Sequence, residues 1–292
     1  MLATDASVET ALAAVRVSLA QQPADLLLAN CNLINVWSEE TYTASIAISG
    51  SRIVAIRAGY DGDARHVIDC TGRYVLPGYV EPLTDVSSDA ERLAAALLPM
   101  GVTSIVAAEA SAIAPRSGRA DVRSWHLTAE GPGWLDGVGR ARLVHQQRVC
   151  STAGAAVDAV AAGMSVVLEV GSDPVKRLAL LRTVAAVGLE TVRLMLRHGE
   201  ANDGSIAVRP VLGAALQAGI PLYHAVQMAG FNAAVQHGIE HDIGSVAPGR
   251  LADLLIVDDI AQAVPSVVIL DGRVVARDGR LEEGAKVEPS RT

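Results

Sequence analysis

The chain has 292 residues, a formal net charge of -8, half of its residues hydrophobic and only 3% aromatic. That length supports one large domain or two smaller ones, with a core built from Ala, Val, Leu and Ile. A mildly acidic chain with no basic face is a poor partner for nucleic acid. Three scattered cysteines, Cys31, Cys70 and Cys150, with no CxxC pair argue against a zinc ribbon and fit a reducing cytoplasm.

Residues 1–23 carry acidic residues early, no basic start and no compact apolar run, so they do not read as a secretory signal. They predict an amphipathic helix, with Val8, Leu12, Val15 and Leu19 at helical spacing. Residues 24–76 read as short strands rich in Ile, Val and Leu, punctuated by Asn, Gly and Asp. From 77 to 243 the pattern changes. Strand-like runs at 103–110, 165–171 and 192–196 alternate with helical runs at 89–100, 153–162, 174–187, 206–218 and 222–236. Such alternation means parallel strands joined by crossover helices.

The stretch Val211 to Ile239 lacks Asp, Glu, Lys and Arg and is long enough to raise a membrane span. Its polar residues, among them Gln217, His224, Gln227 and Asn232, and the break at Gly219-Ile220-Pro221 instead predict two packed helices and no membrane partner. The C-terminal part returns to strands. In SVVILDGRVVARDG the dipeptide Asp271-Gly272 lies between two apolar runs and signals a hairpin.

The two chain ends, 24–76 and 244–285, are therefore expected to form one small β-sandwich domain, with the α/β segment 77–243 inserted between them. A complete eight-unit barrel needs at least about 200 residues, more than the inserted segment holds. The expected fold is α/β, a shortened or incomplete metal-hydrolase-type (β/α) barrel of about six units. It would be open or completed by another chain.

Several runs resemble one family. ALAAVRVSLAQQPADLLLANCNLINVW, HVIDCTGRYVLPGYVEP, LAAALLPMGVTSIVA, GMSVVLEVGSD and HAVQMAGFNAAVQHGIEHDIGSVAPGRLADLLIVDD are similar to segments of the amidohydrolase superfamily, and of its adenine deaminases in particular. The resemblance implies a metal-dependent hydrolase of C–N bonds, deaminating a purine or related small molecule. In that family a divalent metal activates the attacking water and is held by His and carboxylate ligands at strand ends.

Here the matching positions depart from the pattern. Leu83 and Asp85 stand where the family has His-x-His. Glu109-Ala110-Ser111 stands where adenine deaminases have Pro-His-Glu. Arg197 and His198 lie near the position of the family's proton-transferring Asp. The region from about 111 to 150 matches poorly.

Two site readings remain open. A rebuilt site would draw its metal ligands from Asp85, His126, Glu130 and His145, with Asp85, Glu109 and His198 as catalytic groups, and would hold one divalent ion (zinc, iron or manganese). The plainer alternative makes WHLTAEGPGWLDG (125–137) a loop in which His126 is solvated and Glu130 caps a turn. A site without metal would gather Glu109, Glu169, Arg197 and His198 in one pocket at strand ends, with Glu169 and Arg197 binding substrate, an arginine being a good partner for an anionic ligand group; the plainer alternative makes Glu169 a strand-end carboxylate in an ion pair. The chain would then be an inactive homologue, acting as a structural or regulatory subunit or a ligand-binding module. An open barrel leaves strand edges and apolar surface to cover, which predicts a homo-oligomer or a complex with an active paralogue. Dihydroorotases and hydantoinases share the architecture but depend on a carboxylated lysine, and Lys176 falls at a helix start rather than a strand end.

Overall fold

The computed structural model describes residues 5–84, 96–107, 123–126, 147–171, 173–192, 194–197 and 211–282. Asp85, Glu109, Glu130, His145 and His198 lie outside these described residues.

Both chain ends contribute to one nine-stranded sheet. Its N-terminal strands are β1 (Ala24–Asn35), β2 (Glu40–Ser49), β3 (Arg52–Arg57), β4 (Ala64–Asp69) and β5 (Tyr74–Pro77). Before the chain returns to it, six strands intervene: β6 (Tyr79–Thr84), β7 (Val102–Ala107), β8 (Arg123–His126), β9 (Gln147–Cys150), β10 (Ser165–Glu169) and β11 (Leu194–Arg197). The sheet is completed by β12 (Leu254–Val257), β13 (Pro265–Leu270), β14 (Arg273–Arg277) and β15 (Arg280–Leu281). Its order is β15-β14-β13-β12-β5-β1-β2-β3, with β4 pairing β1. The two ends meet where β5 pairs antiparallel with β12, Val75 opposite Ile256 and Leu76 opposite Leu255. Strand alternation splits these residues between two layers. Val75, Leu254 and Ile256 pack with Leu28, Ile46 and Ile48, whereas Leu76, Leu255 and Val257 pack with the α/β segment.

The hairpin expected at Asp271-Gly272 joins β13 to β14. Both turn residues have positive φ, 50° and 74°, as a two-residue type I′ connection requires. Just before β12 the run RLADLLIVDD places Asp253 in the core, 4% exposed. Its carboxylate accepts a hydrogen bond from the Asp271 N–H at 2.9 Å, and its carbonyl accepts one from the Gly78 N–H at 2.9 Å. One residue thus ties the hairpin to the start of β6. Replacing Asp253 with Ala is expected to lower the unfolding free energy by about 2 kcal/mol, the cost of leaving a buried N–H unpaired. Urea unfolding would show this as a fall in midpoint at constant slope.

The middle of the chain forms two three-stranded parallel sheets, β6-β7-β8 and β9-β10-β11. β11 lies beside β6. The described strands form no closed barrel. Val80, Val106, Val167 and Met195 form one row, packed on Ala233, Ala234, Ile239 and Ile243. The opposite row, including Ile105, Val166, Leu168, Leu194 and Leu196, packs on helix residues Ala156, Leu181, Val184 and Leu212. The helices Ala153–Ala161 and Pro174–Ala186 begin at side-chain caps, Thr152 and Asp173, which satisfy first-turn N–H groups.

The Val211–Ile239 stretch folds as expected. A helix Val211–Gln217 is followed, after the Gly219-Ile220-Pro221 break, by Leu222–Val226, a π-helical turn Gln227–Phe231 and Asn232–His237. Among the described residues no helix is long and apolar enough to cross a membrane. Lys176 lies in the first turn of its helix, with its side chain 87% exposed.

Two expectations need correction. The N-terminal helix, Asp5–Ser18, does form, but the stripe Val8, Leu12, Val15 and Leu19 is exposed, and the residue that buries is Val17, against Ala24, Leu27, Ala47 and Ala55. A helix resting on a flat sheet buries the side chains nearest the contact line, and tertiary packing set that line through Val17. The second concerns the start of the segment 125–137, weighed as a loop: Trp125 and His126 close the strand β8, while 127–137 lie outside the described residues.

Candidate functional site

Glu169 and Arg197 are the last residues of β10 and β11 and stand opposite each other in the parallel register. Alternation puts them in the rows of Val167 and Met195, the rows that face the inner cluster. Both are half-buried. Neither side chain makes an ion pair or hydrogen bond among the described residues. A carboxylate and a guanidinium are therefore presented side by side at the C-terminal ends of two parallel strands, where open α/β sheets bind ligands.

The loop behind Glu169 is fixed from several directions. The Val170 N–H donates to the Arg197 carbonyl at 3.1 Å. Gly171 takes φ +65°, and its carbonyl accepts from Arg177 Nε at 3.1 Å and Nη2 at 2.7 Å. Arg177 is 4% exposed. Asp173 Oδ1 accepts from the Val175 and Lys176 N–H groups at 2.9 and 3.2 Å. Arg177 was missed in the sequence. A lone arginine one turn into a helix carries no local signal that it will fold back over the preceding loop.

On the other sheet, Thr84 pairs with Ala107 and Ala107 with His126, so three strand ends lie level. Asp85 follows Thr84 directly, and Glu109 comes two residues after Ala107. The register aligns Trp125, not His126, with Val106. Ser104, the register partner of Val80, is fully buried and its hydroxyl has no partner among the described residues.

The other histidines stand away from these ends. His66 lies exposed on β4. His224 approaches Glu39 at 3.7 Å and His241 approaches Asp242 at 3.4 Å. Both ring nitrogens of His237 are buried with no hydrogen-bond partner among the described residues, and burial pushes its pKa down to about 4. The three cysteines are buried and free. Burial pushes the Cys31 thiol up to about 12 and the Cys70 thiol up to about 11, so neither is a ready nucleophile.

Among the described residues no group of three His, Cys, Asp or Glu side chains could hold a metal ion. The donor set of the resemblance also fails on chemistry. Leu83 has no donor atom, and Arg197 brings a positive charge that would repel a cation. These residues do not fit a paired metal centre.

A family model described as the amidohydrolase family matches residues 88–275. The adenine deaminase of Desulforamulus reducens is 23% identical over 358 aligned positions, covering 94% of this chain and 61% of that protein. The adenine deaminase of Bacillus velezensis is 26% identical, covering 93% and 61%. The chain thus spans about three fifths of the length of the curated relatives it matches. Of the 292 residues, 94% is about 274, so the remainder of those 358 positions, about 84, places residues of the relative opposite gaps.

Among solved structures, the beta-aspartyl dipeptidase of Fervidobacterium islandicum AW-1 superposes with a TM-score of 0.64 at 13% identity, over 88% of this chain and 98% of that one. An adenosine deaminase from Xanthomonas campestris with bound zinc gives 0.60 at 14% identity, over 90% and 95%. These two likenesses concern the fold.

Proposed function

Because the chain belongs to the amidohydrolase family, we propose that it is an adenine deaminase-like homologue whose strand-end site binds a purine-like heterocycle without the family's metal-dependent hydrolysis. The observation that carries this reading is the Glu169–Arg197 pair, level in register, half-buried and without an ion pair or hydrogen bond among the described residues. Adenine presents an amino donor beside a ring-nitrogen acceptor. A carboxylate acceptor next to a guanidinium donor complements that edge, and charge-assisted bonds of this kind are the strong ones.

The α/β segment, 77–243, is on this reading an incomplete barrel of six parallel strands inserted in the sandwich formed by 24–76 and 244–285. The gapped positions, about 84 in all, together have the size of two or three βα units.

A second reading, a hydrolase with a rebuilt single-metal site, is favoured by one observation. The ends of β6, β7 and β8 lie level at Thr84, Ala107 and His126, and in the sequence Asp85 follows Thr84 directly and Glu109 comes two residues after Ala107. One experiment separates the two. Metal-stripped protein and protein loaded with zinc, iron or manganese are titrated with adenine by calorimetry and assayed for ammonia release. Binding without ammonia in every form supports the ligand-binding homologue. Ammonia release that depends on loading supports the hydrolase. Neither heat nor ammonia overturns both.

A further inference from the structure

The N-terminal helix presents an apolar stripe that the rest of the described chain leaves uncovered. Val8, Leu12, Val15 and Leu19 are 46%, 50%, 53% and 53% exposed, whereas Val17 on the opposite side is 1% exposed. The helix is not loosely held. Tyr60 Oη donates to the Val17 carbonyl at 2.6 Å and Arg57 Nη2 donates to the Ser18 carbonyl at 2.6 Å. These bonds satisfy last-turn carbonyls and place a cation at the negative end of the helix dipole. The stripe is therefore displayed from a fixed platform on the sheet.

Its spacing is 4-3-4, that of alternating d and a positions over two heptads, with Val8 and Val15 at d and Leu12 and Leu19 at a. The residues following the two d positions are Glu9 and Arg16, both exposed and neither ion-paired among the described residues. They are opposite charges seven residues apart on one flank of the seam. In an antiparallel pair of identical helices, Val8 of one copy meets Leu19 of the other and Leu12 meets Val15. Glu9 of each then falls beside Arg16 of the other. In a parallel pair e positions face g positions, so Arg16 would meet Ala11 of the other copy and the two opposite charges would not come together.

We infer that this helix pairs antiparallel with the same helix of a second copy, across a two-fold axis. Such an interface is isologous and closes after two copies. Other occupants fit less well. The helix carries Asp5 and Glu9 against a single Arg16 and has no basic face to draw it to an anionic lipid surface. The C-terminal residues 283–292, EGAKVEPSRT, offer only Ala285 and Val287 as apolar side chains, too few for a four-rung stripe. Two short helices bury less than a standard interface, so the dimer is expected to be a micromolar one.

The test is sedimentation velocity across about 1 to 100 μM protein. The wild type should pass from monomer to dimer over that range. Leu12→Glu, at an exposed position that folding does not need, should stay monomeric throughout with an unchanged circular dichroism spectrum. Glu9→Arg and Arg16→Glu alone should each weaken the dimer several-fold, and the double variant should recover it. A wild type that is monomeric at every concentration overturns the inference, as does a dimer indifferent to Leu12→Glu. A double variant no stronger than the singles overturns the antiparallel register. Co-sedimentation of a monomeric wild type with phosphatidylserine vesicles would assign the stripe to lipid instead.

Discussion

Arg197→Ala is expected to weaken adenine binding about 10- to 100-fold, as one lost hydrogen bond from a charged donor implies, while leaving the unfolding midpoint where it was. The second half follows from the absence of any partner for the guanidinium among the described residues. Among the described residues its removal breaks no ion pair or hydrogen bond. Arg197→Lys should recover only part of the affinity, because an ammonium lacks the planar fork that grips two acceptors at once. Glu169→Gln keeps an acceptor at the same place and should cost less than tenfold. Calorimetric titration reads all three. Unchanged affinity in Arg197→Ala would mean that the ligand is held elsewhere.

Acid should unfold the protein through His237. Burial holds its folded-state pKa near 4, against 6.5 for an unhindered imidazole. Above pH 6.5 neither the folded nor the unfolded chain protonates this ring, and its full contribution to stability is present. Between 6.5 and about 4 the unfolded chain takes up a proton that the folded chain refuses, so stability falls as the pH falls. The loss levels off below about pH 4 at about 3 kcal/mol, from roughly 1.4 kcal/mol per unit of pKa difference. Urea unfolding of the wild type and of His237→Leu at pH 8, 6, 5 and 4 isolates the effect, since every other titrating group is shared by the two proteins. The variant should lose less stability toward acid. At pH 8 it should match or exceed the wild type, because a leucine leaves no unsatisfied ring nitrogens behind. Parallel pH curves for the two proteins would remove His237 from the account.

What could be read from the sequence divides along a physical line. Features specified by neighbouring residues were legible. Asp271-Gly272 encodes a two-residue hairpin because both positions tolerate positive φ. Gly219-Ile220-Pro221 stops one helix and starts the next. Features specified by distant partners were not. RSWH and QRVC have too few residues to show a period, and they are strands because β7 and β10 supply the ladder. The π-helical turn at Gln227–Phe231 sits where the Asn232 amide must reach the Leu194 carbonyl, at 2.9 Å, and Phe231 must reach Trp37, with ring centroids 4.6 Å apart.

The candidate site divides the same way. That Arg197 lies at a strand end follows from the chain, since it closes the run 192–196; Glu169 lies inside the run 165–171, and the structure ends β10 at it. That they share a register level depends on how β10 and β11 slide against each other, and no local pattern records it. The apolar stripe of the N-terminal helix was legible as a stripe, but its direction was decided by Val17 and the sheet beneath.

The pairing of β5 with β12 has a consequence for how such a chain can change over time. Pro77 and Leu254 are opposite each other in the register, so everything between them leaves and re-enters the sheet through a single doorway. The entropic cost of tying the ends of a long insert rises only with the logarithm of its length. Adding about 80 residues to it would alter that cost by less than about 0.5 kcal/mol. The frame is thus nearly indifferent to how many βα units hang from it. A lineage can shed units, and the reaction they carried, while the scaffold continues to fold and natural selection finds another use for what remains.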